Sequence, residues 1–129
     1  MNKKFILLVL IFALIFSCEK NAGIFEISGT ITNLSSSSGL NNCKLYLYSY
    51  PVGSGEELLT DSTYTDNNGS YTFSFERAQM EKYKITFEKE GYFEGEEIIY
   101  FSALSLDAVN TINLGTYGKS WVGIRLKNN

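Results

Sequence analysis

Apolar and polar residues alternate with a period of two along most of the chain. In Phe25–Thr32 the odd positions carry Phe25, Ile27 and Ile31. Cys43, Leu45 and Leu47 alternate with Lys44, Tyr46 and Tyr48. Tyr71, Phe73 and Phe75 alternate with Thr72, Ser74 and Glu76, and Tyr83, Ile85 and Phe87 with Lys84, Thr86 and Glu88. Near the end, Val122, Ile124 and Leu126 alternate with Trp121, Gly123, Arg125 and Lys127. Such alternation predicts half-buried strands. Weaker strands are expected at 58–65, 98–102 and 111–114. The Ser-rich stretch 33–42 is expected as a projecting loop, Asp66–Gly69 as a hairpin turn, and Arg77–Met80 as the one helical turn. The segments together predict an all-β chain of seven to eight strands, an antiparallel β-sandwich with its two sheets about 10 Å apart.

The first twenty residues follow a different pattern. Lys3 and Lys4 precede a run of twelve apolar residues, Phe5–Phe16. As a helix that run spans about 18 Å, too short for a hydrocarbon core of about 30 Å. Its length and flanks fit a secretory leader. Ile15-Phe16-Ser17-Cys18 then resembles the bacterial lipobox, with Phe16 bulkier than the usual residue at its position. The resemblance implies a diacylglyceryl thioether on Cys18, cleavage after Ser17 and acylation of the new amino group. The expected organisation is a lipoprotein signal peptide over 1–17, a lipidated Cys and short tether over 18–23, and the sandwich over 24–129. Several acyl chains anchor a protein stably where one does not. The expected location is the bacterial cell envelope, at the outer membrane, with the facing side left open.

Composition narrows the chemistry. The chain has 129 residues, 11 Lys+Arg, 14 Asp+Glu, two Cys and no His. The absence of His excludes Ser-His-Asp and Cys-His catalysis and His-ligated metals. A net charge of −3, more negative once Lys3 and Lys4 are removed, argues against nucleic acid as a partner. With Cys18 lipidated, Cys43 has no partner for a disulfide.

Several segments in order carry a second resemblance. Ser28-Gly29-Thr30-Ile31-Thr32, Cys43–Tyr48, Thr65-Asp66-Asn67-Asn68-Gly69-Ser70-Tyr71-Thr72-Phe73, Tyr83–Phe87 and Gly91-Tyr92 together resemble the carboxypeptidase-regulatory-like domains. These are transthyretin-like (prealbumin-like) sandwiches related to the Cna-B pilin modules. The resemblance spans about Ile24–Leu126, although the Leu40–Cys43 region lacks the family's usual Pro-x-x-Gly. It implies a non-catalytic module. The Lys–Asn isopeptide bond of some Cna-B modules is not expected, because the first strand has no Lys. Residues 120–129 lie outside the family pattern and are expected as an extra or edge strand.

Candidate sites follow from residue type and spacing. Tyr46, Tyr48 and Tyr50 share one face of a strand and make a candidate aromatic platform for a sugar or a protein, which Trp121 can join. Cys43 is expected as a buried, inert thiol. Glu88, Glu90, Glu94, Glu96 and Glu97 suggest either a cation site or, more simply, a solvated loop. Asp66-Asn67-Asn68-Gly69 is read as a turn, because it lacks the later Glu of a calcium loop. Asp61-Ser62-Thr63 resembles a short O-glycosylation sequence, with Ser62 as acceptor. No catalytic residues, metal or cofactor are expected. The function read from all this is a lipid-anchored envelope module with a structural or protein-interaction role, not an enzyme. The alternative is binding of carbohydrate or another extracellular ligand through the Tyr46/Tyr48/Tyr50 face or the loops. The partners are the membrane, through the lipid on Cys18, and an envelope protein or a glycan.

Overall fold

Each long alternating segment places its apolar side chains in one core. The computed structural model describes residues 2–3 and 23–127, so the expected leader, the lipidation site Cys18 and most of the tether lie outside the described residues. The strands are β1 (Ile24–Asn33), β2 (Ser38–Gly39), β3 (Lys44–Pro51), β4 (Leu58–Tyr64), β5 (Ser70–Glu76), β6 (Met80–Glu88), β7 (Gly95–Tyr100), β8 (Asn110–Thr111) and β9 (Leu114–Thr116). One sheet has the order β4-β3-β6-β7, and all its pairings are antiparallel. The other joins β2, β1 and β5 and adds β8 and β9 on β1.

The sandwich encloses the predicted core. Phe25, Ile27, Ile31, Cys43, Leu45, Leu47, Tyr71, Phe73, Phe75, Tyr83, Ile85 and Phe87 are all buried, joined by Leu40 and Ile99. Phe75 and Tyr83 pack as a tilted pair across the sheets with ring centroids 5.0 Å apart. Side-chain hydrogen bonds tie the connections down, between the layers at Thr65 and within the β1 sheet at Tyr71. Buried Thr65 donates its hydroxyl to the Leu40 carbonyl (2.5 Å) and accepts from the Cys43 amide (2.9 Å). The Tyr71 hydroxyl donates to the Ile112 carbonyl (2.6 Å).

The structure corrects six expectations. Asp66–Gly69 is a turn but not a hairpin, because it joins β4 to β5 and these pair in different sheets. The 33–42 stretch is a hairpin, not a projecting loop: Ser37 takes a positive φ of 57° and β2 folds back onto Thr32 and Asn33. Arg77–Gln79 forms no helical turn, and the short 3-10 turn lies instead at Phe101–Ala103. The sandwich is not antiparallel throughout, because β8 and β9 run parallel to β1. These two strands replace the single strand expected at 111–114. They are separated where Ile112 crosses Gly29, whose absent Cβ would lie 1.7 Å from the Ile112 carbonyl oxygen. Asn113 bridges the break by accepting the Thr30 amide with its side chain (3.1 Å). Finally, 121–127 is not a strand. Tyr92 bridges Gly118 and the Lys119 amide reaches the Gly91 carbonyl (2.7 Å), but 120–127 find no ladder partner among the described residues.

Candidate functional site

The tyrosine stripe lies where the alternation placed it. With Cys43, Leu45 and Leu47 facing the core, Tyr46, Tyr48 and Tyr50 emerge on the outer face of β3 and are half-buried. Register sets their neighbours. Across β6 they pair with Thr86, Lys84 and Lys82, and β7 extends the same rows with Glu96, Ile98 and Tyr100. On the other side Tyr48 faces Leu59, and Lys44 faces Tyr64. Leu59, Tyr64 and Tyr100 are exposed.

The rings are not a bare platform. The ammonium of Lys44 sits 4.9 Å from the Tyr46 centroid, that of Lys84 5.1 Å from Tyr48, and that of Lys82 4.9 Å from Tyr50. A cation over a ring face is held by the ring quadrupole. Glu57 accepts from Lys84 (2.5 Å) and from the Tyr50 hydroxyl. Hydrogen bonds from Lys84 and Tyr50 lower the Glu57 pKa, and the bond to Glu57 raises that of Lys84. Sequence reasoning missed these lysines and Glu57. The alternation of Lys82, Lys84 and Thr86 was visible, but only the β3–β6 register shows which ring each lysine meets.

At one end the face dips into an open cleft of about 440 Å³ lined by Tyr46, Tyr48, Thr86, Glu88, Glu94 and Glu96. The Tyr46 hydroxyl donates to Glu88 there (3.3 Å). The acidic run is therefore only partly a loop, with Glu90 and Glu94 in the connection between β6 and β7. Glu88 ends β6, and Glu96 and Glu97 belong to β7. Among the described residues no three carboxylates or thiols converge as a metal-holding group.

The other candidates are scattered. Trp121 is 94% exposed and lies in the segment after β9, which belongs to no strand, so it is not part of the β3 face. Ser62 is exposed on edge strand β4, paired with Tyr46, and its amide donates to Asp61 (2.8 Å). Cys43 is fully buried, its thiol donates to the Glu88 carbonyl (3.3 Å), and burial pushes its pKa to about 11. Asp66 takes the amides of Asn68 and Ser70 on one carboxylate oxygen (2.9 Å each), which closes a turn.

No protein-family model matches the chain, and no curated sequence does. Solved structures do. The fold is shared with a shaft pilin. That protein, SpaA from Lactobacillus rhamnosus GG, aligns with a TM-score of 0.54 at 10% identity, over 78% of this chain and 48% of its own. A DUF3823 family protein from Parabacteroides merdae aligns with a TM-score of 0.52 at 14% identity, over 75% of this chain and 47% of its own. The 3-chlorocatechol 1,2-dioxygenase of Rhodococcus opacus aligns with a TM-score of 0.56 at 11% identity, over 78% of this chain and 62% of its own. The chain thus spans less than two thirds of each of these proteins, and the likeness is one of fold. It corrects the expectation that the chain is not an enzyme. That expectation rested on the missing His and on the fold together, and the same sandwich belongs to a dioxygenase as well as to a pilin.

Proposed function

We propose that this chain is a lipid-anchored module of the bacterial cell envelope that contacts another envelope protein through the outer face of the β4-β3-β6-β7 sheet. The contrast between the two outer faces carries the reading. Beyond Ile24, the outer face of β1 and β5 holds Glu26, Ser28, Thr30, Ser70, Thr72, Ser74 and Glu76, an ordinary solvated surface. The opposite face sets Tyr46, Tyr48, Tyr50, Tyr64, Tyr100, Leu59 and Ile98 among three lysines. Tyrosine-rich, nearly flat surfaces with polar rims suit protein contacts, and small ligands prefer concave sites. The lysines over the ring faces also occupy the positions a stacked sugar needs. The lipobox resemblance at Ile15–Cys18 supports the anchor, and the carboxypeptidase-regulatory-like resemblance supports an envelope setting.

Two measurements test this. Cys18→Ala moves the protein from the membrane to the soluble fraction; unchanged fractionation overturns the anchor. In a pull-down from detergent-solubilised envelope, Tyr48→Ala and Lys84→Ala lose a partner that Ser74→Ala keeps. Equal recovery by all three overturns the surface.

A second reading rests on the cleft, where Tyr46 and Tyr48 meet Glu88, Glu94 and Glu96. Rings beside carboxylate acceptors suit sugar hydroxyls. Glycan-array binding that disappears in Glu96→Gln supports it.

A further inference from the structure

The segment that failed to form a strand keeps the pattern of one. Trp121, Val122, Ile124 and Leu126 are between 81% and 94% exposed, and among the described residues no ladder holds them. Alternating apolar residues in an extended segment are the signature of a half-buried strand. An unpaired sheet edge, with its row of free amides and carbonyls, accepts such a strand. Strand β7 is such an edge: among the described residues it pairs only with β6. It has six residues, the length of Trp121–Leu126.

We propose that Trp121–Leu126 of one copy adds as an antiparallel strand to β7 of a second copy of this chain. Charge sets the register. The tail carries Lys119, Arg125 and Lys127 and no acid, whereas β7 and its approach carry Glu94, Glu96 and Glu97. Placing Arg125 opposite Glu96 puts Trp121 opposite Tyr100 on the outer face and ends the ladder at Gly95, because Thr116 and Tyr117 of the acceptor copy already bond Phe93; Lys127 lies beyond the ladder, toward Glu94. The same register puts Val122 beside buried Ile99 on the inner face, with Ile124 beside Glu97 and Leu126 beside Gly95 toward the end of the strand, and Gly123 beside Ile98 on the outer face. A slip of one residue sends the apolar set to the wrong face.

The segment cannot reach β7 of its own copy in this register. Gly118 is fixed beside Tyr92, and the chain there runs antiparallel to Gly91–Phe93, away from β7. Trp121 lies three residues further on, about 10 Å at full extension. Tyr100 lies eight residues along from Tyr92, about 26 Å at strand rise. Only another molecule supplies the edge.

The test pairs Gly123→Cys with Ile98→Cys in the full chain, solubilised in detergent and mildly oxidised. Disulfide-linked dimers and larger species are expected. The single-cysteine variants and a Gly123→Cys/Ser74→Cys control, which targets the polar face of the other sheet, give several-fold less. Arg125→Glu lowers the yield of the first pair, and adding Glu96→Arg restores it. Equal linking in the control, no linking above the single variants, or no rescue by the charge swap overturns the proposal. So does a linked product whose mass contains a different protein, which makes that protein the acceptor.

Discussion

Tyr71 and Tyr83 are both buried, yet their hydroxyls differ. That of Tyr71 donates to the Ile112 carbonyl, while that of Tyr83 has no hydrogen-bond partner among the described residues. Removing a satisfied hydroxyl from the core costs about 1–2 kcal/mol, and removing an unsatisfied one costs little or stabilises. Urea unfolding is therefore expected to show Tyr71→Phe less stable by about that amount and Tyr83→Phe at or above the parent. Cys43 makes a second expectation. The folded thiol keeps its proton up to about pH 11, against a reference value of 9.0. Between those values the folded state holds the extra proton, so this group's contribution to stability is complete below pH 9 and is lost as pH rises toward 11. A thiol reagent at pH 8 should label Cys43 only after denaturation. Burial of all three residues was legible from the period-two pattern. Which hydroxyl finds a partner was not, because the Ile112 carbonyl comes from a segment about forty residues further along the chain.

The strands divide by length and burial in how well the sequence announced them, and β4, with seven residues, is weak because it is exposed along almost its whole length. Strands β1, β3, β5 and β6, with seven to ten residues each, alternate clearly enough to fix their faces. Strands β2, β8 and β9 have two or three residues and no readable period. Their existence depends on what β1 offers as a partner. The Asp66–Gly69 turn was legible, and its glycine has a steric reason. Gly69 has φ +79°, and a Cβ there would lie 2.6 Å from the Ile31 carbonyl oxygen and 2.7 Å from the Leu40 amide. Gly69→Ala thus meets both an unfavourable backbone region and two backbone atoms, and is expected to cost more than about 2 kcal/mol in thermal or urea unfolding. Gly53, equally positive in φ but open to solvent, should lose less on the same change.

Across the molecule, protection should follow the topology. In native-state amide exchange β3 and β6, paired on both sides, are expected to be slowest, the outer edges β4 and β7 faster, and unpaired residues 120–127 immediate. Slow exchange throughout 121–126 in isolated protein at low concentration would sink the account of an unpaired segment. The candidate site was half legible at this scale. The tyrosine stripe could be read from one strand, but its lysines come from β6, Glu57 from the approach to β4, and Tyr100 from β7. A surface shared by four strands depends on register, which no single segment encodes.

The first strand is completed by the last. Strand β1 is flanked on one side by β5 and on the other by β8 and β9, with Ile27 beside Asn110 and Ile31 beside Leu114. Contacts this distant in sequence slow folding, into the range of about milliseconds to seconds for sandwiches. They also mean that the β1 sheet cannot close until almost the whole chain is available. Delivery across a membrane behind the proposed leader would need a chain that has not yet folded, and that delay would supply one. The emerging chain stays threadable and uncommitted until its carboxyl-terminal segments arrive, and only then does the sandwich lock.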